Sequence, residues 1–185
     1  MPKMTMVQAL NLALRQEMER DDSVVVLGED VGVDGGVFRV SDGLIRQFGE
    51  TRVVDTPLAE SGIVGMSIGM AVYGLKPVCE IQFSGFSYYT LHQIENHAAR
   101  LRWRSQGRYT VPMVLRTEGG AGRSIAAQHS QSLEAWFTHA PGVFIVMPAT
   151  PYDAKGLLKT CIRDDNPILF VEHKMLYGVK GEVPD

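Results

Sequence analysis

Cysteine is scarce: Cys79 and Cys161 are the only two, 82 positions apart and outside any CxxC or His-spaced pattern. Neither a disulfide framework nor a zinc site is implied, and a reducing, cytoplasmic setting is the expectation. A long hydrophobic run is missing too. The longest nearly uncharged apolar stretch, 61–75, is broken by Gly62, Gly65, Gly69 and Gly74. It falls short of the roughly 20 residues that cross a bilayer, so no membrane span is expected. Neither sign of charge dominates, with 18 Lys+Arg against 21 Asp+Glu and a formal net charge of -3. That balance gives no electrostatic reason to expect nucleic acid. The start, Met1-Pro2-Lys3-Met4-Thr5, lacks the apolar core and small-residue cleavage pattern of a secretory signal. Internal repeats and low-complexity tracts are absent as well. What remains, 185 residues of which 45% are hydrophobic and 21% charged, has the balance of one globular domain that buries most of its apolar surface.

Hydrophobic spacing then sets the elements. Thr5 followed by Gln8 reads as a capping box, and Val7, Leu10, Leu14 and Met18 recur at three- and four-residue steps. This predicts an amphipathic helix of about four turns. Six short β-branched or apolar runs follow, at 23–27, 52–55, 78–83, 111–116, 143–147 and 168–172. Each reads as buried on both faces. Helix-length segments lie between them at 41–48, 60–73, 88–105, 132–139 and 151–163. The last is the best marked, with Thr150 as N-cap, Pro151 at the first helical position and Ala154, Leu157, Leu158 and Cys161 along one face. Apolar strands alternating with helices argue for a mostly parallel sheet, because parallel strands need crossovers and those crossovers cover both faces. The expected fold is a three-layer α/β/α domain. The tail, 177–185, loses periodicity and reads as a linker.

In such sheets ligands bind beyond the carboxyl ends of the strands, which directs attention to the residues just after each run. Gly65-Met66-Ser67-Ile68-Gly69 matches a G-x-S-x-G nucleophile elbow, but its Ser lies inside an apolar small-residue segment. A buried helix whose glycines approach the sheet explains it better than a serine hydrolase. Gly28-Glu29-Asp30-Val31-Gly32-Val33-Asp34-Gly35-Gly36 could cradle a phosphate, yet three acids would repel one, and a polar glycine turn is the simpler account. Arg100–Tyr109 mixes cations with aromatics, as a nucleic-acid surface or a subunit contact does; cations also suit a helix C-terminus. Glu60 follows the second run, among Leu58, Ala59 and glycines. It is either a helix-start acid favoured by the dipole or a carboxyl that needs a specific partner, since an unpaired buried carboxylate is costly. Phe86, past the third run, is core or cofactor platform. The stretch 117–131, with Gly119-Gly120-Ala121-Gly122 and then Gln128-His129-Ser130-Gln131, reads as a mobile loop presenting His129 at the start of the next helix. Capping, core packing and a proton-shuttling role all remain open for that histidine.

Five separated motifs go further: Asp55-Thr56-Pro57-Leu58-Ala59-Glu60, Glu80-Ile81-Gln82-Phe83, Gln128-His129-Ser130-Gln131-Ser132, Ala140-Pro141-Gly142 and Asp153-Ala154-Lys155-Gly156-Leu157-Leu158. In this order and spacing they closely resemble the β subunit of the thiamine-diphosphate-dependent component of 2-oxo-acid dehydrogenase complexes, of the pyruvate and branched-chain type. The resemblance covers the whole chain. It implies a transketolase-type pyrimidine-binding domain over 1–185, normally followed by a C-terminal domain not contained in this chain. Carried over, Glu60 matches the glutamate that hydrogen-bonds a ring nitrogen of the cofactor's aminopyrimidine, which favours the tautomer that activates the thiazolium. Phe86 matches the aromatic packed on that ring, and Leu58 and Gln82 match positions lining its pocket. His129 matches the histidine facing substrate and lipoyl group. Met113, Cys161, Ile162, Asp164 and Asn166 match a potassium loop that binds mainly through carbonyl oxygens; an ordinary helix C-terminus is the competing view. The diphosphate and magnesium motif, Gly-Asp-Gly with a distal Asn, occurs nowhere here, and the family carries it on the α subunit. The resemblance therefore implies half of a cofactor site, an α2β2 heterotetramer and a lipoyl-bearing acyltransferase as acceptor. The 2-oxo acid leans to pyruvate, with a branched-chain acid as the alternative; an assembly module without catalysis is the reading of another class.

Overall fold

The computed structural model describes residues 1–121 and 126–184. The middle of the glycine-rich stretch expected to form a loop, 122–125, lies outside the described residues. In chain order come β1 (Lys3–Thr5), α1 (Met6–Arg20), β2 (Val24–Gly28), α2 (Leu44–Phe48), β3 (Val53–Asp55), α3 (Glu60–Val72) and β4 (Lys76–Phe83). A 3-10 turn (Ser84–Thr90), a π-helical segment (Gln93–Ala98) and α4 (Ala99–Arg104) lead to β5 (Val114–Gly119). Then follow α5 (Glu134–Phe137), β6 (Phe144–Val146), α6 (Pro151–Arg163), β7 (Ile168–His173), a second 3-10 turn (Lys174–Leu176) and β8 (Lys180–Glu182).

Six strands form one sheet in the order β3-β2-β4-β5-β7-β6, every neighbouring pair parallel. Successive residues point to opposite faces, and the core divides accordingly. Val24, Val26, Val78, Val114 and Phe170 pack with Leu10 and Leu14 of α1 and Leu158 of α6. Leu27, Cys79, Ile81, Leu115 and Leu169 pack on the other side with Ile63, Val64 and Ile68 of α3, Ile94 and Phe137. This is the three-layer α/β/α arrangement that the alternation of runs predicts. Only the outer strands depart from burial on both faces: β3 and β6 have one neighbour each, and Phe144 on β6 is 56% exposed.

The capping box at Thr5 and Gln8 is formed in both directions, and Thr150 caps α6 through the Asp153 N–H with Pro151 following. α3 follows the expected 60–73 segment, α2 and α5 are shorter than their spacing suggests, and 88–105 splits into 3-10, π and α turns. The tail is not a linker. Lys180–Glu182 pairs antiparallel with Lys3–Thr5, and Tyr177 and Val183 are buried. Three residues carry too short a period to announce a strand. The glycines of α3 are a second correction, because they do not face the sheet: Gly62 and Gly69 are exposed, while Glu60, Ile63, Val64, Ser67, Ile68 and Ala71 are buried.

Two ionic clusters tie neighbouring elements together, one between the helices α1 and α6 and one inside the sheet. Burial works against a charge on Glu17 of α1, yet hydrogen bonds from Arg163 of α6 and from Arg20 keep its carboxyl below the usual range. Inside the sheet, Arg116 on β5 grips Glu172 on β7 with two bonds of 2.6 and 2.8 Å and Glu80 on β4 with one of 2.8 Å. The Tyr177 hydroxyl donates to Glu172 at 2.5 Å. Burial pushes the Glu80 carboxyl up against the opposing pull of Arg116, whereas the two carboxylates hold the Arg116 guanidinium charged. Removing one partner of such a group leaves a buried charge uncompensated. Arg116→Met should therefore lower stability by about 3–5 kcal/mol in equilibrium urea denaturation, and the joint change Glu80→Leu, Arg116→Met, Glu172→Leu should recover much of that loss. A single Arg116→Met variant as stable as wild type would show that the cluster does not hold the sheet.

Candidate functional site

The sheet order reverses at β2, which is followed by β3 on one side and paired with β4 on the other. Open parallel sheets bind ligands at such a switch point. Here it gathers Glu29 and Asp30 after β2, Asp55 at the end of β3, and Gln82 and Phe83 at the end of β4. The glycine-rich turn after β2 folds over Asp55, whose carboxylate accepts the N–H groups of Gly32 at 2.6 Å and Val33 at 3.3 Å. A Cβ on Gly32 would lie 2.6 Å from the same carboxylate. The turn's N–H groups are thus taken by an acid of this chain, which fits a polar turn and not a phosphate cradle.

Glu60 opens α3 and is only 8% exposed. The helix dipole favours a negative charge at this position, yet the carboxyl has no hydrogen-bond partner among the described residues. Glu29, 9% exposed, faces it. Burial first, then the charges of Glu60 and Asp30, raise the Glu29 carboxyl above its ordinary range. Gln82 Nε2 donates to Asp30 Oδ2 at 3.3 Å, which ties the end of β4 to the same turn. Leu58, just ahead of α3, is 79% exposed. An apolar side chain is thus presented to solvent two residues ahead of a buried carboxyl.

Beside it stands an aromatic group. The rings of Phe83 and His129 meet edge-on at 4.4 Å between centroids, Phe86 and His129 at 5.4 Å, and Phe83 and Phe86 at 5.7 Å. His129 Nδ1 is buried with no hydrogen-bond partner among the described residues. The histidine sits in the turn ahead of α5, not at a helix start, and α5 has only 4 residues. Of the residues singled out from the sequence, Glu60 and Gln82 lie on the acidic side and Phe86 and His129 in the aromatic group, while Glu29 and Phe83 beside them carry no assignment from the sequence. Glu29 had a signal, as an acid directly after a fully apolar run. Phe83 reads as the last core residue of its strand.

The other candidates fall away from this crevice. Ser67 is fully buried and its hydroxyl bonds the Ile63 carbonyl of its own helix at 2.8 Å, so no nucleophile elbow exists. Burial pushes the Cys79 and Cys161 thiols up to about 12 each, which removes them as nucleophiles. Arg100 pairs with Glu95 and Arg102 with Asn166, leaving Trp103, 83% exposed, beside an open groove of about 430 Å³ at the amino ends of the strands. The Met113 carbonyl accepts the Ile168 N–H at 3.0 Å, just past the 161–166 segment. Asn166 Oδ1, however, already accepts from Arg102 at 2.7 Å.

A parallel sheet with an acid at the start of the helix after its outer strand matches a known domain. The family model described as "Transketolase, pyrimidine binding domain" covers residues 2–180. The chain belongs to this family. It is 54% identical over its full length to the 2-oxoisovalerate dehydrogenase subunit beta of Bacillus subtilis. It is 50% identical to the pyruvate dehydrogenase E1 component subunit beta of the same organism and 53% to that of Acholeplasma laidlawii. The chain spans 55–57% of the length of these relatives. A solved structure titled "Split gene transketolase, inactive beta4 tetramer" matches 98% of the chain and 54% of its own at a TM-score of 0.75 and 18% identity, which speaks for the fold alone.

Within this family member, the raised carboxyl makes a testable statement about pH. Glu29 holds its proton more tightly in the folded than in the unfolded chain. Between the ordinary glutamate range and that raised value the folded state binds more protons, so its stability falls as pH rises. Glu29→Gln should flatten this part of the profile, match wild type at acid pH and exceed it at neutral pH, as followed by urea denaturation across pH. Identical slopes in both proteins would place Glu29 in solvent.

Proposed function

We propose that this chain is the pyrimidine-binding half of a thiamine-diphosphate site in a 2-oxo-acid dehydrogenase β subunit, working in an α2β2 heterotetramer. The observation that carries the reading is Glu60: a largely buried carboxyl without a hydrogen-bond partner among the described residues, beside exposed Leu58. The side chains fit the group. Glu60 would hold a proton in a hydrogen bond to the pyrimidine ring nitrogen, Leu58 and Phe86 would supply apolar and aromatic walls, and Gln82 would line the edge of the pocket. When bound, thiamine diphosphate supplies the carbon nucleophile and electron sink for decarboxylating a 2-oxo acid. Glu29, whose carboxyl is raised above its ordinary range by burial and then by the charges of Glu60 and Asp30, faces Glu60 from within the chain. His129, whose buried Nδ1 has no hydrogen-bond partner among the described residues, would face the substrate and the incoming lipoyl group of an acyltransferase partner. The α subunit would hold the diphosphate through magnesium. Any potassium ion would rest on carbonyl oxygens of Met113, Cys161, Ile162, Asp164 and Asn166, because the Asn166 side chain is engaged by Arg102.

Pyruvate is the leading substrate, supported by Gln128-His129-Ser130-Gln131 followed by Ala135-Trp136-Phe137. The branched-chain reading is favoured by the 54% identity to a 2-oxoisovalerate dehydrogenase subunit. Glu80 does not decide between them, since its carboxyl is turned into the sheet against Arg116.

The test is decarboxylation by the heterotetramer containing the full-length β chain. General acid–base groups contribute typically 10²–10⁴-fold, so Glu60→Ala should cost at least about a hundredfold in kcat, and pyruvate should show the highest kcat/KM against 2-oxobutyrate and 3-methyl-2-oxobutanoate. Undiminished activity of Glu60→Ala would leave this domain as an assembly module.

A further inference from the structure

The segment carrying His129 is seated on the turn after β4 through an unusually close backbone contact. Gly85 lies in the 3-10 turn Ser84–Thr90. A Cβ there would stand 2.0 Å from the Gln128 carbonyl oxygen, 3.1 Å from its carbon and 3.0 Å from Gln131 Oε1. Gly85 is not among the residues with positive φ, so the approach of another backbone, and not its own conformation, requires glycine. Next to it the Ser84 hydroxyl donates to the Gln131 carbonyl. Gly119, at the end of β5, closes the same seat: a Cβ would lie 3.0 Å from Ser84 Oγ and 3.4 Å from the Gln131 carbonyl. The Phe83 and Phe86 rings then meet the imidazole edge-on.

We propose that Gly85 is a positioning residue for His129, its missing side chain letting the Gln128 backbone settle on the 3-10 turn so that the imidazole is fixed against Phe83 and Phe86. The claim rests on the role given to His129 above. Gln128 is the residue directly before His129, so anything that lifts its carbonyl moves the ring. Alanine at position 85 must displace that carbonyl by about 1 Å or more, since a Cβ tolerates no neighbour under 3.0 Å. Misplacement on this scale can cost a catalytic group as much as about a hundredfold. Glu60 sits on a different element, α3, and is reached through a different strand.

The experiment uses the heterotetramer with the full-length β chain, labelled with carbon-13 at histidine Cε1. Three readouts are compared: the His129 resonance, identified by its loss in His129→Asn; acyl transfer to a lipoyl domain; and 2-oxo-acid oxidation with ferricyanide as acceptor, which bypasses lipoyl. For Gly85→Ala the expected result is a His129 resonance moved away from its ring-shifted position, lipoyl transfer down about tenfold or more, and ferricyanide turnover within about twofold of wild type. Phe83→Leu should likewise move the resonance and Phe83→Tyr should restore it, which keeps the claim testable if the alanine variant does not fold. An unmoved His129 resonance in Gly85→Ala or Phe83→Leu overturns the proposal, and so does a parallel fall of both activities. Intact lipoyl transfer in His129→Asn would instead refute the role of the histidine, while the resonance would still report whether Gly85 positions it.

Discussion

A carboxyl removed from water demands a partner, because leaving it unpaired costs several times what an ordinary hydrogen bond contributes. Glu60 is in that position, and the local architecture keeps it there. The short outer strand β3 ends at Asp55, the glycine turn after β2 is pinned to that aspartate, and α3 begins with the glutamate while its apolar face lies on the sheet. The helix dipole offsets part of the cost of a charge at this position but supplies no directional bond. Among the described residues no hydrogen-bonding group meets that demand.

The strand ends that frame this demand are held from below. Arg116 joins β4, β5 and β7 through Glu80 and Glu172, and Tyr177 extends the cluster into the segment that returns to pair with β1. Such a buried cluster adds little net stability, yet it penalises any register in which the three strands do not end level. The Phe38 ring links the turn after β2 to both Phe83 and Tyr177 at 5.6 and 5.7 Å. The acidic and the aromatic parts of the crevice are therefore mounted on one rigid base, and the side left open is the one carrying exposed Leu58.

Much of this was legible in the sequence, for identifiable reasons. The six runs become six strands because parallel strands buried on both faces have to be continuous in apolar residues, and α1 and α6 carry complete capping signals. Glu60 and His129 stand out because polar residues immediately past such runs have few structural roles. Other features left no mark. The pairing of Lys180–Glu182 with Lys3–Thr5 is made by backbone groups of residues none of which is buried. The outward-facing glycines of α3 look, in one dimension, the same as inward-facing ones. The closeness of Glu29 to Glu60 and of Phe83 to His129 depends on strand order, which local spacing does not encode.

The most direct measurement is a structure of the α2β2 assembly with thiamine diphosphate bound. A Glu60 carboxylate oxygen is expected at about 2.7–2.9 Å from the pyrimidine ring nitrogen, within the range of charge-assisted N···O bonds, with Leu58 covered by the cofactor or the α subunit. A pyrimidine ring seated elsewhere, with the Glu60 carboxyl bonded to a protein donor or open to water, would contradict it.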